Sequence, residues 1–214
     1  MSKAYIALFL WLFSFSLSSY TADLDGALLA KKHCSECHQE DGNSKDENIP
    51  KIAGFSAALT YDVLDQFKSG YREAKPIKTK DGQTTSMVEI SKKLSSEEIE
   101  ALSFYFSSTM FKTDEQNINK ALVETGEQLH LDLCNDCHVN RGTSSADDAP
   151  ILAGQWKAYL SEQFKAFSNN KRQMSKRMKK KFRKLNDDDK IALINFYASA
   201  TQTTQIQKES EASQ

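Results

Sequence analysis

The sequence predicts an all-α protein made of two tandem copies of one helical unit. Three observations carry that expectation. No stretch alternates apolar and polar residues for long enough to make a useful strand. Apolar positions recur instead at helical spacing, at Ile99, Leu102, Tyr105 and Phe106, and again at Leu193, Phe196 and Tyr197. Landmarks of the first half also return in the second. Gly26, Cys34, Cys37, His38, Pro50, Gly54, Phe67 and Arg72 are answered by Gly126, Cys134, Cys137, His138, Pro150, Gly154, Phe167 and Arg172, all displaced by the same hundred positions. Self-similarity of that length marks a duplicated unit.

Residues 1–22 read as a secretory signal: Lys3, an apolar run from Ala4 to Leu17, and the small polar stretch Ser18 to Ala22. The apolar run is too short to span a bilayer comfortably. Residues 23–112 form the first domain. In it, a short helix from Leu24 leads into Cys34-Ser35-Glu36-Cys37-His38, followed by a polar loop, Pro50-Lys51-Ile52-Ala53-Gly54, and a helix ending near Phe67. The register then slips. The first half carries an extra polar loop from Glu73 to Ser86, and its Pro76 and Asp81-Gly82 read as a turn-rich insertion. Met87 comes next, and Ser95-Ser96-Glu97-Glu98 supplies a cap and an acidic first turn for the last helix of the copy.

Thr109 to Asn119 is the linker, and residues 113–202 form the second domain. It repeats the order: Cys134-Asn135-Asp136-Cys137-His138, Pro150 to Gly154, a helix to Phe167, Met178, and the cap Asn186-Asp187-Asp188-Asp189. Residues 203–214 are a polar tail expected to be disordered. Gly26 and Gly126 are expected where the first and last helices of each copy cross closely, against Tyr105 and Phe196.

Composition gives 39% hydrophobic and 27% charged residues, as in a soluble globular protein, and a net charge of −1 gives no global bias towards nucleic acid. The charge is unevenly placed. From Asp23 to Asp114 there are 12 basic and 16 acidic residues, and from Glu115 onward 15 and 13. The basic excess concentrates between Lys171 and Lys184, where nine of fourteen residues are Lys or Arg. A solvated charge run is one reading, and a face that steers an acidic partner is the other.

The chemistry rests on the two Cys-x-x-Cys-His stretches, which hold all four cysteines. This pattern attaches a c-type haem: the thiols add across the vinyl groups, and the adjacent histidine ligates the iron. A shared Cys₄ zinc site would bring its pairs closer in sequence than Cys37 and Cys134. A thioredoxin-like pair needs a βαβ context that is missing here, and two structural disulfides remain an alternative in an exported chain. The sequence therefore predicts two covalently attached haem c groups, with Cys34, Cys37, Cys134 and Cys137 as attachment points and His38 and His138 as iron ligands. An electron carrier needs a sixth ligand, and methionine sulfur raises the potential. The repeat register selects Met87 and Met178, each seven residues before the leucine that precedes the last cap. Met174 competes with Met178, and Met110 reads as packing. His33 and His130 read as surface or packing residues.

Two haem motifs, each followed by Pro-x-x-Ala-Gly, a helix ending Phe-x-x-x-x-Arg, a methionine and an acidic cap, resemble the two-domain dihaem class I cytochromes of the cytochrome c4 type. The resemblance spans residues 25 to 200. It implies two cytochrome-c-like domains facing each other across a pseudo-twofold axis, with the Pro50 and Pro150 carbonyls accepting the proximal ring N–H groups. The long loop before Met87 and the basic approach to Met178 depart from the pattern. The implied function is that of an exported, periplasmic, non-enzymatic carrier of single electrons. Its partners would be redox proteins: a membrane-bound donor such as a bc1-type complex, and an acceptor such as a terminal oxidase. Peripheral membrane association is compatible with that role, and nucleic acid is not a partner. The same architecture serves as the cytochrome subunit of flavocytochrome c sulfide dehydrogenases, so an electron-accepting subunit of a dehydrogenase complex is the alternative. A haem peroxidase or ligand sensor would need an open sixth position.

Overall fold

The structure, a computed structural model, describes residues 24–201. The expected signal segment 1–22 and the polar tail 203–214 lie outside the described residues. The first half contains α1 (Gly26–His33), α2 (Ser35–His38), α3 (Ala57–Lys68), α4 (Met87–Lys92) and α5 (Ser96–Ser108). The second contains α6 (Val123–Leu133), a short irregular turn α7 (Val139–Gly142), α8 (Lys157–Ser168), α9 (Lys176–Phe182) and α10 (Asp187–Ala198).

The helices begin where local chemistry lets them. The Asp25 carboxylate accepts the Ala27 and Leu28 N–H groups at 2.9 and 3.2 Å, satisfying the free donors that open α1. Capping boxes open α5, through Ser95 and Glu98, and α10, through Asn186 and Asp189. In each half the last helix is the spine. α5 packs across α1 and α3, and α10 packs across α6 and α8. Their apolar stripes build two separate cores, one of Ala30, Leu64, Leu94, Ile99, Leu102 and Phe106, the other of Leu160, Leu193, Ile194, Phe196 and Tyr197.

The crossing of first and last helices is close enough to demand glycine. A Cβ on Gly26 would overlap the Ala101 carbonyl oxygen and lie 2.7 Å from the Tyr105 Cβ. A Cβ on Gly126 would overlap the Ala192 carbonyl oxygen and lie 2.6 Å from the Phe196 Cβ. The obstacle is helix backbone in both cases, so no rotamer change relieves it.

One local expectation is corrected. The insertion from Glu73 to Ser86 holds a small antiparallel hairpin, β1 (Ile77–Lys78) and β2 (Thr84–Thr85), with Ile77 opposite Thr85. Strands of two residues are too short to show alternation, so the sequence displays only their turn, at Asp81-Gly82. The loop has a fixed place, because the Lys80 N–H donates to the Glu36 carboxylate at 2.6 Å, inside the first Cys-x-x-Cys stretch.

The halves are joined by polar side chains. Gln155 makes a paired contact with the Lys51 backbone: its Oε1 accepts the N–H and its Nε2 donates to the carbonyl, both at 2.9 Å. The Trp156 indole N–H donates to the Ser44 Oγ at 3.0 Å, and the Tyr159 N–H to the Glu47 carbonyl at 3.0 Å. Lys51 itself is fully buried. Its ammonium pairs with Asp114, donates to the Lys112 carbonyl at 2.7 Å and lies 4.6 Å from the Trp156 ring centre. A buried charge is tolerable only with such partners. The linker is tied to both sides: the Lys112 N–H meets the Asn43 Oδ1 at 2.8 Å, and the Asn119 N–H meets the Asn195 Oδ1 at 2.8 Å.

Replacing Gly126 by Ala should destabilise the holoprotein by about 1–3 kcal/mol, the usual cost of overpacking. Urea unfolding of the purified variant checks this, and an unchanged midpoint would show that α6 and α10 can separate without cost.

Candidate haem sites

α1 runs directly into the first motif. The Cys34 N–H bonds the Ala30 carbonyl at 2.9 Å, and the His38 N–H bonds the Cys34 carbonyl at 2.9 Å. The single turn α2 therefore places Cys34, Cys37 and His38 at i, i+3 and i+4, neighbouring positions on one helical face. That is the physical reason for the spacing: two sulfurs and a nitrogen can address one planar ligand from the same side. His38 is 6% exposed, and its Nδ1 lies 3.0 Å from the Pro50 carbonyl oxygen. A carbonyl only accepts, so Nδ1 carries the proton and Nε2 keeps the free lone pair. Burial lowers the His38 pKa, with the Pro50 bond opposing it, a shift towards the neutral ring that a metal ligand requires.

The thiols are separate. All four cysteines are free. Burial, then the neighbouring Cys37, pushes the Cys34 thiol up to about 12, and burial also leads the upward shifts of Cys37 and Cys134. Redox-active Cys-x-x-Cys pairs are tuned in the opposite direction. Among the described residues, no cluster of three or more His, Cys, Asp and Glu side chains gathers into a metal-holding group, and Cys34 and Cys134 pack against different cores. A shared Cys₄ zinc site is therefore not assembled. The residues that are present fit a c-type haem in each half.

The second motif is less regular. The His138 N–H bonds the Cys134 carbonyl at 3.0 Å, but His138 leaves the helix with φ −101° and ψ 64°. Asn140 and Arg141 follow in the left-handed region, at φ 53° and 60°, where the first half has Gln39 alone at φ 62°. Arg141 is anchored by an ion pair to Glu127, and its guanidinium lies 5.1 Å from the Phe196 ring centre. The expected bond from the His138 ring to Pro150 is not closed, and the His138 Nδ1 has no partner at hydrogen-bond geometry. Burial lowers the His138 pKa, and the Pro150 carbonyl is near enough to oppose that shift.

The methionines divide. Met87 opens α4 directly after the Ser86 cap and packs against the first core together with Cys34. Met178 is the third residue of α9, its N–H on the Ser175 Oγ at 3.2 Å, and Met174 precedes that cap. Both are partly buried. The apolar residues packed on the second core with Cys134 are Val123, Leu129, Leu152, Phe164 and Leu185, without either methionine. α9 is nonetheless placed over the second motif, by Lys181 Nζ at 3.3 Å from the Asp136 carboxylate. Met87 thus packs on the same core as Cys34, and Met174 and Met178 stay candidates for the second half.

His130 is fully buried, and its Nδ1 lies 2.9 Å from the Tyr197 hydroxyl. The equivalent positions of the first half are Ala30 and Phe106, so the two substitutions belong together. The sequence reading allowed packing for His130 but did not find its partner, which lies in another helix.

The family described as Cytochrome c matches residues 24–110. Cytochrome c4 of Azotobacter vinelandii is 28% identical over 187 residues, covering 80% of this chain and 85% of that one. The thiosulfate dehydrogenase electron acceptor of Stutzerimonas stutzeri is 28% identical over 190 residues, covering 83% of each. The crystal structure of reduced cytochrome c4 from Pseudomonas stutzeri superposes with a TM-score of 0.67 at 27% identity, over 82% of this chain and 96% of that one. Over most of its length the chain is similar to the dihaem c-type cytochromes of the cytochrome c4 type. It is an electron-transfer protein with two covalently attached haem c groups, one for each Cys-x-x-Cys-His motif. Apart from the β1–β2 hairpin the fold is helical, in two domains like those of the cytochrome c4 structure it superposes on. Among the described residues no helix is long and apolar enough to cross a membrane.

His130→Ala should cost about 1–3 kcal/mol, because it takes the ring nitrogen from the buried Tyr197 hydroxyl and leaves it only the weakly bonding Cys134 sulfur. The double variant His130→Ala, Tyr197→Phe recreates the pair found in the first half and should lose less than the sum of the single variants. Thermal unfolding of the three holoproteins measures the coupling, and strict additivity would mean that the contact contributes nothing.

Proposed function

We propose that Cys34 and Cys37 carry one haem and Cys134 and Cys137 the other, with His38 and His138 as nitrogen ligands and Met87 and Met178 as sulfur ligands. The domain limits follow as 23–112 and 113–202. The observation that supports this most strongly is the His38 ring, whose Nδ1 is engaged by the Pro50 carbonyl and whose other nitrogen is left free. Haem, when bound, supplies a reversible one-electron couple at iron. The chain holds the imidazole neutral and fixed, keeps the sulfurs out of water and presents charged faces to partners.

The setting we infer is the periplasm, reached through the 1–22 signal, with electrons passing from a membrane-bound donor such as a bc1-type complex to an acceptor such as a terminal oxidase. The similarity to a thiosulfate dehydrogenase electron acceptor favours a second reading, in which a dehydrogenase is the donor. The docking face is the same in both. Lys176, Arg177, Lys180, Arg183 and Lys184 are exposed on and beside α9, above the second motif. Lysines there attract an acidic surface and raise the encounter rate, an effect that salt screens.

Mass spectrometry of the mature protein should show two haem additions that survive acid-acetone extraction. Met178→Ala should abolish the near-infrared methionine–iron(III) band of one haem and open it to carbon monoxide, while Met174→Ala should do neither. The reverse result would move the ligand to Met174.

Changing Lys176, Lys180 and Lys184 together to Gln should slow electron transfer to the acidic partner at low ionic strength and flatten its salt dependence. Lys181 is left in place because it holds Asp136. An unchanged salt slope would remove the docking role.

A further inference from the structure

The second half buries a polar pair that the first half lacks. His130 on α6 and Tyr197 on α10 are both fully buried, and the His130 Nδ1 lies 2.9 Å from the Tyr197 hydroxyl. Their rings meet edge to face with centres 5.6 Å apart. The phenol has little room to move: a Cβ on Gly142 would lie 3.3 Å from its ring, and the Tyr197 carbonyl accepts the Gly154 N–H at 2.8 Å. The same hydroxyl reaches the Cys134 sulfur, which packs against the core that Tyr197 helps to build. Cys134 stands one helical turn beyond His130, its N–H on the His130 carbonyl at 2.8 Å.

The chemistry of attachment sets the direction of these bonds. A thiol that has added to a vinyl group has lost its S–H, so the Cys134 sulfur can then only accept. The hydroxyl has one hydrogen, and giving it to sulfur leaves the Tyr197 oxygen as the acceptor for His130. Nδ1 must therefore carry the imidazole proton. The rest of the ring agrees. Burial lowers the His130 pKa to about 4, so at neutral pH the ring has one proton to place. Among the described residues no group meets the His130 Nε2 at hydrogen-bond geometry, so a proton there would be a buried donor without an acceptor. Burial, with Cys134 beside it, raises the Tyr197 phenol well above its ordinary range and keeps its hydrogen in place. The first half has no such chain. Ala30 and Phe106 stand at the equivalent places and offer neither imidazole nor hydroxyl. Tyr105, the phenol packed on that core, gives its hydrogen to the Glu40 carbonyl at 3.0 Å.

We infer that His130 and Tyr197 form a buried hydrogen-bond relay onto the Cys134 sulfur, and that it holds the potential of the second haem above the value its iron ligands alone would give. This rests on the dihaem assignment above. The bond draws lone-pair density from the thioether, and the positive end of the O–H dipole points at an atom bonded to the haem; both effects favour the reduced state. Tyr197 acts on the sulfur directly. His130 is a positioning residue: its N–H occupies the hydroxyl oxygen and turns the hydrogen towards Cys134.

The test uses the full dihaem protein. Pyridine haemochrome assay first counts the haems of the wild type, and a value below two per chain would overturn the dihaem assignment itself. Spectroelectrochemistry then gives both midpoint potentials. Tyr197→Phe should lower one potential and leave the other in place. His130→Leu should lower the same potential by a smaller step, and His130→Asn, whose amide can donate from near the Nδ1 position, should restore it. In the resonance Raman spectrum of the wild type, a thioether carbon–sulfur band should shift after full exchange into deuterium oxide, and Tyr197→Phe should lose that sensitivity. If Tyr197→Phe fails to hold two haems, the Leu and Asn variants and the wild-type Raman band carry the test. Variants that melt earlier but keep both potentials would reduce the contact to packing and overturn the relay. Equal displacement of both potentials, or a wild-type band indifferent to deuterium, would overturn it as well.

Discussion

The placement of each haem site depends on one contact, a helix laid on the backbone of another. α1 reaches α5 at Gly26, and α6 reaches α10 at Gly126, so closely that even a methyl group would meet a carbonyl oxygen. The contact matters because α1 and α6 do not end in a loop. They run into Cys34 and Cys134, so the angle and depth of the crossing set where two sulfurs and a histidine emerge. Backbone against backbone is a stiff constraint, whereas side chains could yield. The capping boxes of α5 and α10 fix the other partner of each crossing.

Duplication gave two such units, and the differences between them show what each half has been asked to do. The first half keeps Ala30 and Phe106 in its core; the second has His130 and Tyr197, and with them a buried polar contact that binds α6 to α10 beyond shape. Across the interface the second half presents Gln155, Trp156 and Tyr159, where the first has Phe55, Ser56 and Leu59. Those three positions supply most of the polar reach between the halves, and their targets are mainly main-chain atoms and the buried Lys51, with the Ser44 hydroxyl and Arg72 beside them. Association through backbone acceptors is tolerant of drift in the opposing side chains. This suits a protein whose repeats have diverged.

What the sequence made legible was local. Caps, the helical apolar stripes, the two glycines and the spacing of cysteine and histidine are all decided within a few residues, and each appears where it was expected. Features decided across the chain stayed hidden. Lys51 looks like an ordinary loop lysine until Asp114 and Trp156 are brought to it. The left-handed pair Asn140-Arg141, which leaves the His138 Nδ1 without a partner, is held by Glu127 and Phe196 from elsewhere in the fold. The methionine register is an intermediate case. Counting back from Leu94 and Leu185 pairs Met87 with Met178, whereas counting forward from the Ser86 and Ser175 caps pairs Met87 with Lys176, because α9 is one residue longer than α4 and enters differently.

α9 itself is hard to explain by stability alone. It is seven residues long with no buried residue, and an isolated helix of that length would not persist in water. It is kept by the Ser175 cap and by Phe182, which sits 5.6 and 5.7 Å from the ring centres of Phe164 and Phe167. Its charges work against it. Lys176 and Lys180, Arg177 and Lys181, and Lys179 and Arg183 are like-charged neighbours at i, i+4, each pair unfavourable by about 0.2–0.5 kcal/mol. The helix C-terminus returns part of that for the last turn only. Among the described residues one carboxylate, Asp136, reaches the cluster, and it belongs to the second haem motif. A segment that accumulates repulsion where neutral residues would fold better has its charge for a reason outside its own stability, which is the ground on which the docking face was proposed.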